Sequence, residues 1–333
     1  MSTLPRVAII GTGGTISSIG EHPLELVEYI ARKRIHELPG LLAEVPELER
    51  VAEVVPVPFV ALPSTALGPT DWLALARAVH DTAHANPHLD GLVITHGTAT
   101  LEETAYFLHL TLRVPFPVVL VGAQRPITAL STDGRLNLVN AVRTAGASAS
   151  RGKGVLVVLN DEIQCAREVT KTSTLRLQTF RSPDFGLLGQ ADPDAIVYYR
   201  SPTRRHAPDT EFEVAELHEL PRVDVVYCYA GADGVGVDAV VEAGARGIVM
   251  AGFAPGLVTP LQREALERAR ERGVVVVQSS RAGSGRVVPP SVAHASDTVP
   301  ADNLTPQKAR VLLMLALSRT SDPAAIRRMF EAY

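Results

Sequence analysis

The sequence predicts an α/β protein: a doubly wound, mostly parallel sheet in a larger N-terminal part, and a smaller α/β series after it. Three observations predict this. Short β-branched runs alternate with amphipathic helical stretches, the pattern of right-handed crossovers between parallel strands. The runs are continuously apolar rather than alternating, as strands covered on both faces must be. The 333 residues are 46% hydrophobic, which suffices for a large buried core and argues against disorder.

In chain order, the first strand is expected at Arg6–Ile10, where Val7-Ala8-Ile9-Ile10 opens the apolar pattern, and the second at Glu53–Phe59. Asp71–Ala85 reads as a helix and leads to a strand at Gly91–Thr95. The helical pattern of Leu101–Leu112 separates that strand from Pro117–Val121, and Leu136–Gly146 precedes Gly154–Leu159. Between Tyr199 and Arg222 the alternation breaks. Arg200-Ser-Pro-Thr-Arg-Arg-His-Ala-Pro-Asp-Thr is polar with two prolines and suits an exposed connector. A second series, expected to be flavodoxin-like, supplies strands at Val223–Tyr229, Gly247–Ala251 and Val274–Gln278. It closes with helices at Thr305–Ser318 and Asp322–Tyr333, the latter with Asp322 as N-cap and Pro323 at the first helical position. The expected organisation is an N-terminal catalytic domain over 1–200, a linker over 201–221 and a C-terminal α/β domain over 222–333.

Composition narrows the function classes. With 32 Lys+Arg against 36 Asp+Glu the net charge is −4, too little basic excess for a nucleic-acid binder held by phosphate neutralisation. Of the basic residues 28 are arginines, and the lysines are Lys33, Lys153, Lys171 and Lys308, so a lysine inside a polar motif stands out. Cys165 and Cys228 form neither a disulfide framework nor a Cys-x-x-Cys pair. No charged leader precedes Val7, and the apolar run Val311–Leu317 is far short of the roughly 20 residues that span a bilayer. A cytoplasmic protein that binds no membrane is the expectation.

In open parallel sheets, ligands bind beyond the carboxyl ends of the strands. There the sequence places Gly11-Thr12-Gly13-Gly14-Thr15, then His96-Gly97-Thr98-Ala99-Thr100, then Asn160-Asp161-Glu162 with Glu168-Val169-Thr170-Lys171-Thr172, then Ser279-Ser280-Arg281. The first turn reads as a phosphate loop, as a nucleophile turn exposing Thr12, or as a tight turn with Thr15 starting a helix. The Gly-x-Gly-x-x-Gly spacing and the Walker lysine are both absent. A threonine hydroxyl becomes nucleophilic when a base takes its proton, and a partly buried lysine of lowered pKa can do so. Two rim hydroxyls and Lys171 therefore point to acyl transfer without histidine or metal, with His96 as an alternative base. His80 and His84 at i, i+4, with His88 beyond, have a zinc-compatible spacing, but no acidic or cysteine partner stands at ligand spacing, so no metal is expected.

These segments together resemble the bacterial L-asparaginase/glutaminase family, whose members use a threonine nucleophile. The resemblance rests on Thr12-Gly13-Gly14-Thr15-Ile16, Thr95-His96-Gly97-Thr98, Glu102-Glu103-Thr104-Ala105-Tyr106-Phe107, Val121-Gly122-Ala123, Val169-Thr170-Lys171-Thr172 and Pro306-Gln307-Lys308-Ala309-Arg310-Val311-Leu312-Leu313, and it covers essentially the whole chain. It implies Thr12 as nucleophile, Thr98 with Lys171 as a second hydroxyl–amine pair, and oxyanion stabilisation at Gly13 and Thr98. It further implies a substrate site at Ser64, Thr65, Gly97 and Ala99, with Ser64 holding an α-carboxylate. Tyr29 is the nearest match to the catalytic tyrosine of the family's lid, within the divergent segment Ser17–His36. A small-molecule amide substrate, no cofactor, and a homotetramer built from intimate dimers are also implied.

The departures cluster. Where the family has His-Gly-Thr-Asp-Thr, this chain has Ala99, and Thr65 stands where the family has Gln. The family's catalytic glutamate falls near Ser291–Val292, with Asp297 the next acid, and its glycine-rich-loop asparagine falls on Phe253–Leu257, which holds none. In the family these positions surround the substrate's α-ammonium. A buried ammonium needs a carboxylate partner, and stripping one from a buried pair costs about 3–5 kcal/mol. Losing the aspartate should also lower the pKa of Lys171. The expected function is thus an amidohydrolase cleaving a carboxamide or lactam whose acid half lacks a free α-ammonium. The alternatives are a plain L-asparaginase and a non-catalytic binding protein on the same scaffold.

Overall fold

The computed structural model describes residues 4–288 and 298–333. Ser291, Val292 and Asp297 lie outside the described residues. The chain divides into two compact units, Met1–Thr210 and Glu211–Tyr333, each with its own sheet.

In the first unit the described elements are β1 (Arg6–Gly11), α1 (Tyr29–Arg32), α2 (Leu38–Ala43), β2 (Glu53–Val57), α3 (Pro69–Ala85), β3 (Gly91–Thr95), α4 (Leu101–Thr111), β4 (Val118–Val121), α5 (Gly134–Gly146), β5 (Val155–Leu159), β6 (Glu162–Cys165), β7 (Thr170–Lys171), β8 (Phe180–Arg181), β9 (Gly189–Ala191) and β10 (Ile196–Tyr198). Among the described residues they form a sheet of order β10-β9-β6-β5-β4-β3-β1-β2, with a separate β7-β8 ribbon. The pairs from β2 to β5 are parallel, and those involving β6, β9 and β10 are antiparallel. The parallel part follows the apolar periodicity: every residue of β3, β4 and β5 is buried. Pro56, which lacks an N–H, sits in edge strand β2, where fewer ladder donors are needed.

The antiparallel extension was not visible as a pattern, because Glu162–Cys165 and Gly189–Ala191 carry no apolar run. It is set by a two-residue hairpin: Asn160 and Asp161 both take left-handed backbone angles (φ 53° and 64°), the geometry that turns β5 back onto β6. On one face, Trp72 of α3 stacks on Phe107 of α4 at 5.5 Å, and its indole N–H donates to Thr104 Oγ1 at 3.0 Å. On the other, α5 contributes Leu138, Ala141, Val142 and Ala145 to a core shared with Val7, Val93, Val119 and Val158.

The second unit runs β11 (Val223–Tyr227), α6 (Val235–Glu242), β12 (Gly247–Gly252), α7 (Pro260–Glu271), β13 (Val275–Ser280), β14 (Thr298–Pro300), α8 (Pro306–Leu317) and α9 (Pro323–Ala332). Its sheet is parallel in the order β11-β12-β13-β14. Asp322 caps α9 by accepting the N–H groups of Ala324 and Ala325, each at 3.1 Å. Phe253 and Leu257 form an isolated bridge, and the Arg281 guanidinium lies 4.7 Å from the Phe253 ring centroid.

Candidate active site

A cavity of about 450 Å³ opens at the carboxyl ends of β1 and β3 in the first unit. Backbone pairing decides which rim residues reach it. Thr12 continues the line of β1: its N–H donates to Thr95 O at 3.1 Å, and its hydroxyl donates to the same oxygen at 2.8 Å. The side chain is fully buried and does not line the cavity. Gly13 and Gly14 then turn the chain with φ of 93° and 91°, conformations that favour glycine, and Thr15 emerges into the cavity. The expectation for Thr12 is therefore corrected in favour of Thr15. The glycine turn follows Thr12 and precedes Thr15, so the residue still paired to β3 is not the exposed one. Gly13, expected to supply an oxyanion amide, likewise lies off the cavity, and Gly14 takes its place on the wall.

The Thr15 hydroxyl lies 3.1 Å from the Tyr29 hydroxyl. Tyr29 stands on α1, in a segment held by the bonds Ile19 N–H to Arg34 O (2.9 Å), His36 N–H to Ser17 O (2.8 Å) and Gly20 N–H to Thr128 Oγ1 (2.8 Å). An Arg32–Glu25 pair at 2.8 Å adds to this. Burial pushes the Tyr29 phenol above its ordinary pKa, with Thr15 pulling it down and Asp133 pushing it up, so at neutral pH it is a neutral donor.

Thr98 lies in the turn after β3, and Lys171 Nζ donates to its Oγ1 at 2.8 Å. Lys171 is presented by β7, whose main-chain N–H donates to Glu102 Oε1 on α4 at 3.2 Å. Burial lowers the Lys171 pKa, and the Glu102 carboxylate partly opposes this. Ser64 is carried to the site by Leu62, whose N–H donates to Thr12 O at 3.0 Å, and by Thr100, whose hydroxyl donates to Ser64 O at 2.8 Å. Gly97 admits this approach: a Cβ there would stand 2.5 Å from Ser64 Oγ, and one on Gly14 would stand 2.4 Å from Gly97 Cα. Ser64, Thr65, Gly97, Thr98, Ala99, Tyr29 and Lys171 all line the cavity.

His96 does not line it. The ring is fully buried, donates from Nδ1 to Gly97 O at 2.8 Å, and is lowered by desolvation to a pKa of about 4, so it is a neutral structural histidine rather than a base. His80 accepts the Arg113 N–H at 3.1 Å, and no group of three or more His, Cys, Asp or Glu suited to a metal occurs among the described residues. Sequence reasoning also missed part of the wall. Gln124, Lys33 and the aliphatic Leu26, Val27, Ile30, Ile35 and Leu175 line the cavity, whereas no Asp or Glu does among the described residues. The aliphatic character of Leu24–Ile30 was readable, but nothing local says which way it faces.

Two hydroxyl pairs, one with a phenol and one with an amine, converge on a single cavity above a glycine turn, in a chain whose two units each match one half of a known enzyme. Residues 6–204 match the family model "Asparaginase, N-terminal" and residues 222–330 match "Glutaminase/Asparaginase C-terminal domain". The chain belongs to the asparaginase family. It is 43% identical over 330 residues to L-asparaginase 2 of Bacillus subtilis, covering 99% of this chain and 87% of that one. It is 40% identical to a glutaminase-asparaginase of Pseudomonas fluorescens, covering 99% and 91%. The crystal structure of a probable cytoplasmic L-asparaginase from Campylobacter jejuni superposes with a TM-score of 0.94 at 39% identity, covering 99% and 100%. This asparaginase-family chain is accordingly a hydrolase of amide C–N bonds, and among its described residues no helix is long and apolar enough to cross a membrane.

Proposed function

We propose that the chain hydrolyses a carboxamide through Thr15, and that the acid half of its substrate carries no free α-ammonium. Thr15 Oγ1 attacks the carboxamide carbon, the C–N bond breaks, and the nitrogen leaves as ammonia with the threonine's proton. The Tyr29 phenol, 3.1 Å away, orients the hydroxyl for attack. Water then attacks the acyl ester, releasing a carboxylate and regenerating Thr15. The Lys171 amine, biased toward its neutral form by burial, acts with Thr98 as base for that water. Gly14 and Thr98 line the cavity, and their main-chain N–H groups are assigned the stabilisation of the carbonyl oxygen, while the Ser64 and Thr65 hydroxyls are assigned a carboxylate.

The observation that carries the substrate reading is the wall itself. Ala99 follows Thr98 where the family has aspartate, and among the described residues the ionisable side chains on the cavity are Tyr29, Lys33 and Lys171, none of which partners an ammonium. The names of the relatives favour a second reading, L-asparaginase. Ammonia release from L-asparagine, L-glutamine, succinamate and Nα-acetyl-L-asparagine separates the two. The proposal expects succinamate or the acetylated amide to exceed asparagine in kcat/KM by at least about tenfold. A sub-millimolar KM for asparagine, with turnover to match, would hand the site to the second reading. A non-catalytic role would leave function intact in Thr15→Ala.

We carry the homotetramer as part of this proposal. Edge strand β11 exposes Val225 and Tyr227, with Tyr229 just beyond, each 40% or more accessible in the single chain, an apolar stripe suited to burial against another copy. Sedimentation at four times 35.6 kDa is the expected result, and a stable monomer removes this part.

A further inference from the structure

The active-site wall joins three features that the cleavage of a small free amide does not use. The first is size: at about 450 Å³ the cavity falls among those that hold drug-sized ligands, about 300–1,000 Å³. The second is an aliphatic rim drawn from two distant segments. Leu26, Val27, Ile30 and Ile35 come from the Tyr29 segment and Leu175 from the loop after β7, and all are exposed, Ile30 by 66% and Leu175 by 73%. The third is Gln124. It lines the same cavity, and its Nε2 is buried with no acceptor among the described residues, although a buried amide donor left unpaired is costly.

We propose that the substrate is an Nα-acylated asparagine or glutamine whose aliphatic acyl chain lies on the Leu26–Ile30–Leu175 rim and whose acyl-amide carbonyl accepts from Gln124 Nε2. This rests on the preceding reading of the site and narrows it. Acylation removes the α-ammonium, for which the wall offers no carboxylate among the described residues. It also adds a neutral carbonyl acceptor and an apolar tail, the two groups for which the wall has a donor and a surface. The α-carboxylate stays with the Ser64 and Thr65 hydroxyls, and the side-chain carboxamide is presented to Thr15. A desamino amide such as succinamate satisfies the missing-carboxylate condition but leaves Gln124 and the rim without partners. The net reaction is acyl-asparagine plus water to acyl-aspartate plus ammonia, with the Nα-acyl bond untouched.

The test is a ladder of Nα-acetyl, -butanoyl, -hexanoyl and -octanoyl L-asparagine and L-glutamine, with succinamate and free asparagine alongside, reading ammonia release. Burying a methylene is worth up to about a fourfold gain, so kcat/KM should climb by about two- to fourfold per methylene until the chain outgrows the rim. The double variant Ile30→Ser/Leu175→Ser, at two well-exposed positions, should flatten that slope. Gln124→Leu should lower the ratio of acetyl-asparagine to succinamate turnover about tenfold. Turnover of succinamate with an acyl series that shows no slope overturns this inference and leaves the proposed function standing. Efficient use of free asparagine with no turnover of the acylated series overturns both. No ammonia from any acylated member also overturns the inference.

Discussion

Replacing each threonine of the glycine turn separately tests the central assignment. Thr12→Val keeps the shape of a fully buried side chain and removes its hydroxyl. The bond lost is Thr12 Oγ1 to Thr95 O at 2.8 Å, but that oxygen keeps the Thr12 N–H at 3.1 Å and is not orphaned. The cost is therefore one neutral hydrogen bond plus mismatch of a methyl in a polar slot, about 1–2 kcal/mol. At about 2–4 °C of Tm per kcal/mol for a unit of this size, the melting temperature should fall by about 2–8 °C, while kcat stays within a few-fold of wild type. Thr15→Ala has the opposite signature. Its hydroxyl is only partly buried and touches the Tyr29 hydroxyl, so the stability loss is about 0.5–1 kcal/mol. Removing the nucleophile, however, should cost about 10⁴-fold or more in kcat. Differential scanning calorimetry and ammonia release from the best amide of the panel read the two effects separately. A Thr12→Val enzyme that folds normally and loses its turnover, beside a Thr15→Ala enzyme that keeps it, would refute the assignment.

Three further outcomes follow from the same site. With the Lys171 pKa lowered by burial, its neutral amine is available below the usual lysine range. The kcat/KM profile should therefore rise with pH to a midpoint below 10.5, and Lys171→Met should lose that limb with about 10²–10⁴-fold of rate; an unchanged limb in the variant would assign it elsewhere. Ala99→Asp restores a carboxylate beside Thr98. It should raise kcat/KM for free L-asparagine about 10- to 100-fold and move the Lys171 limb to higher pH, and the absence of any gain would show that the ammonium site is not built around this position. His96 titrates near 4 when folded and near 6.5 when unfolded, so the unfolded chain alone binds a proton between those values. Stability should fall by about 3 kcal/mol as pH drops from 6.5 to 4, measured as the urea midpoint, and His96→Leu should show a correspondingly smaller drop over that window.

The parallel core was readable because its strands are buried on both faces and announce themselves as apolar runs. Gly91–Thr95 matches its expected limits, and Glu53–Phe59 is shortened only at its end, to Val57. The antiparallel strands Glu162–Cys165 and Gly189–Ala191 carry no such run. They exist because the left-handed Asn160-Asp161 turn folds them onto an existing edge. At the site, Ser64, Thr98 and Lys171 could be named because each matches a motif position, and Tyr29 only as the nearest tyrosine in a divergent segment, whereas Gln124 and Leu175 belong to no motif and line the cavity through proximity alone.

By itself the sequence determined the α/β class, the family, the chemistry available at the rim of the sheet and the absence of an aspartate after Thr98. These are properties of residue type and spacing along one chain. Only the tertiary structure decided which of two threonines three residues apart faces the cavity, and that an aliphatic rim from two distant segments lines the same cavity. The physical reason is that a side chain's direction after a strand depends on where backbone hydrogen bonding to a neighbouring strand ends. Here the Thr12–Thr95 pairing holds one hydroxyl in the sheet, and two glycines of positive φ release the next into the cavity.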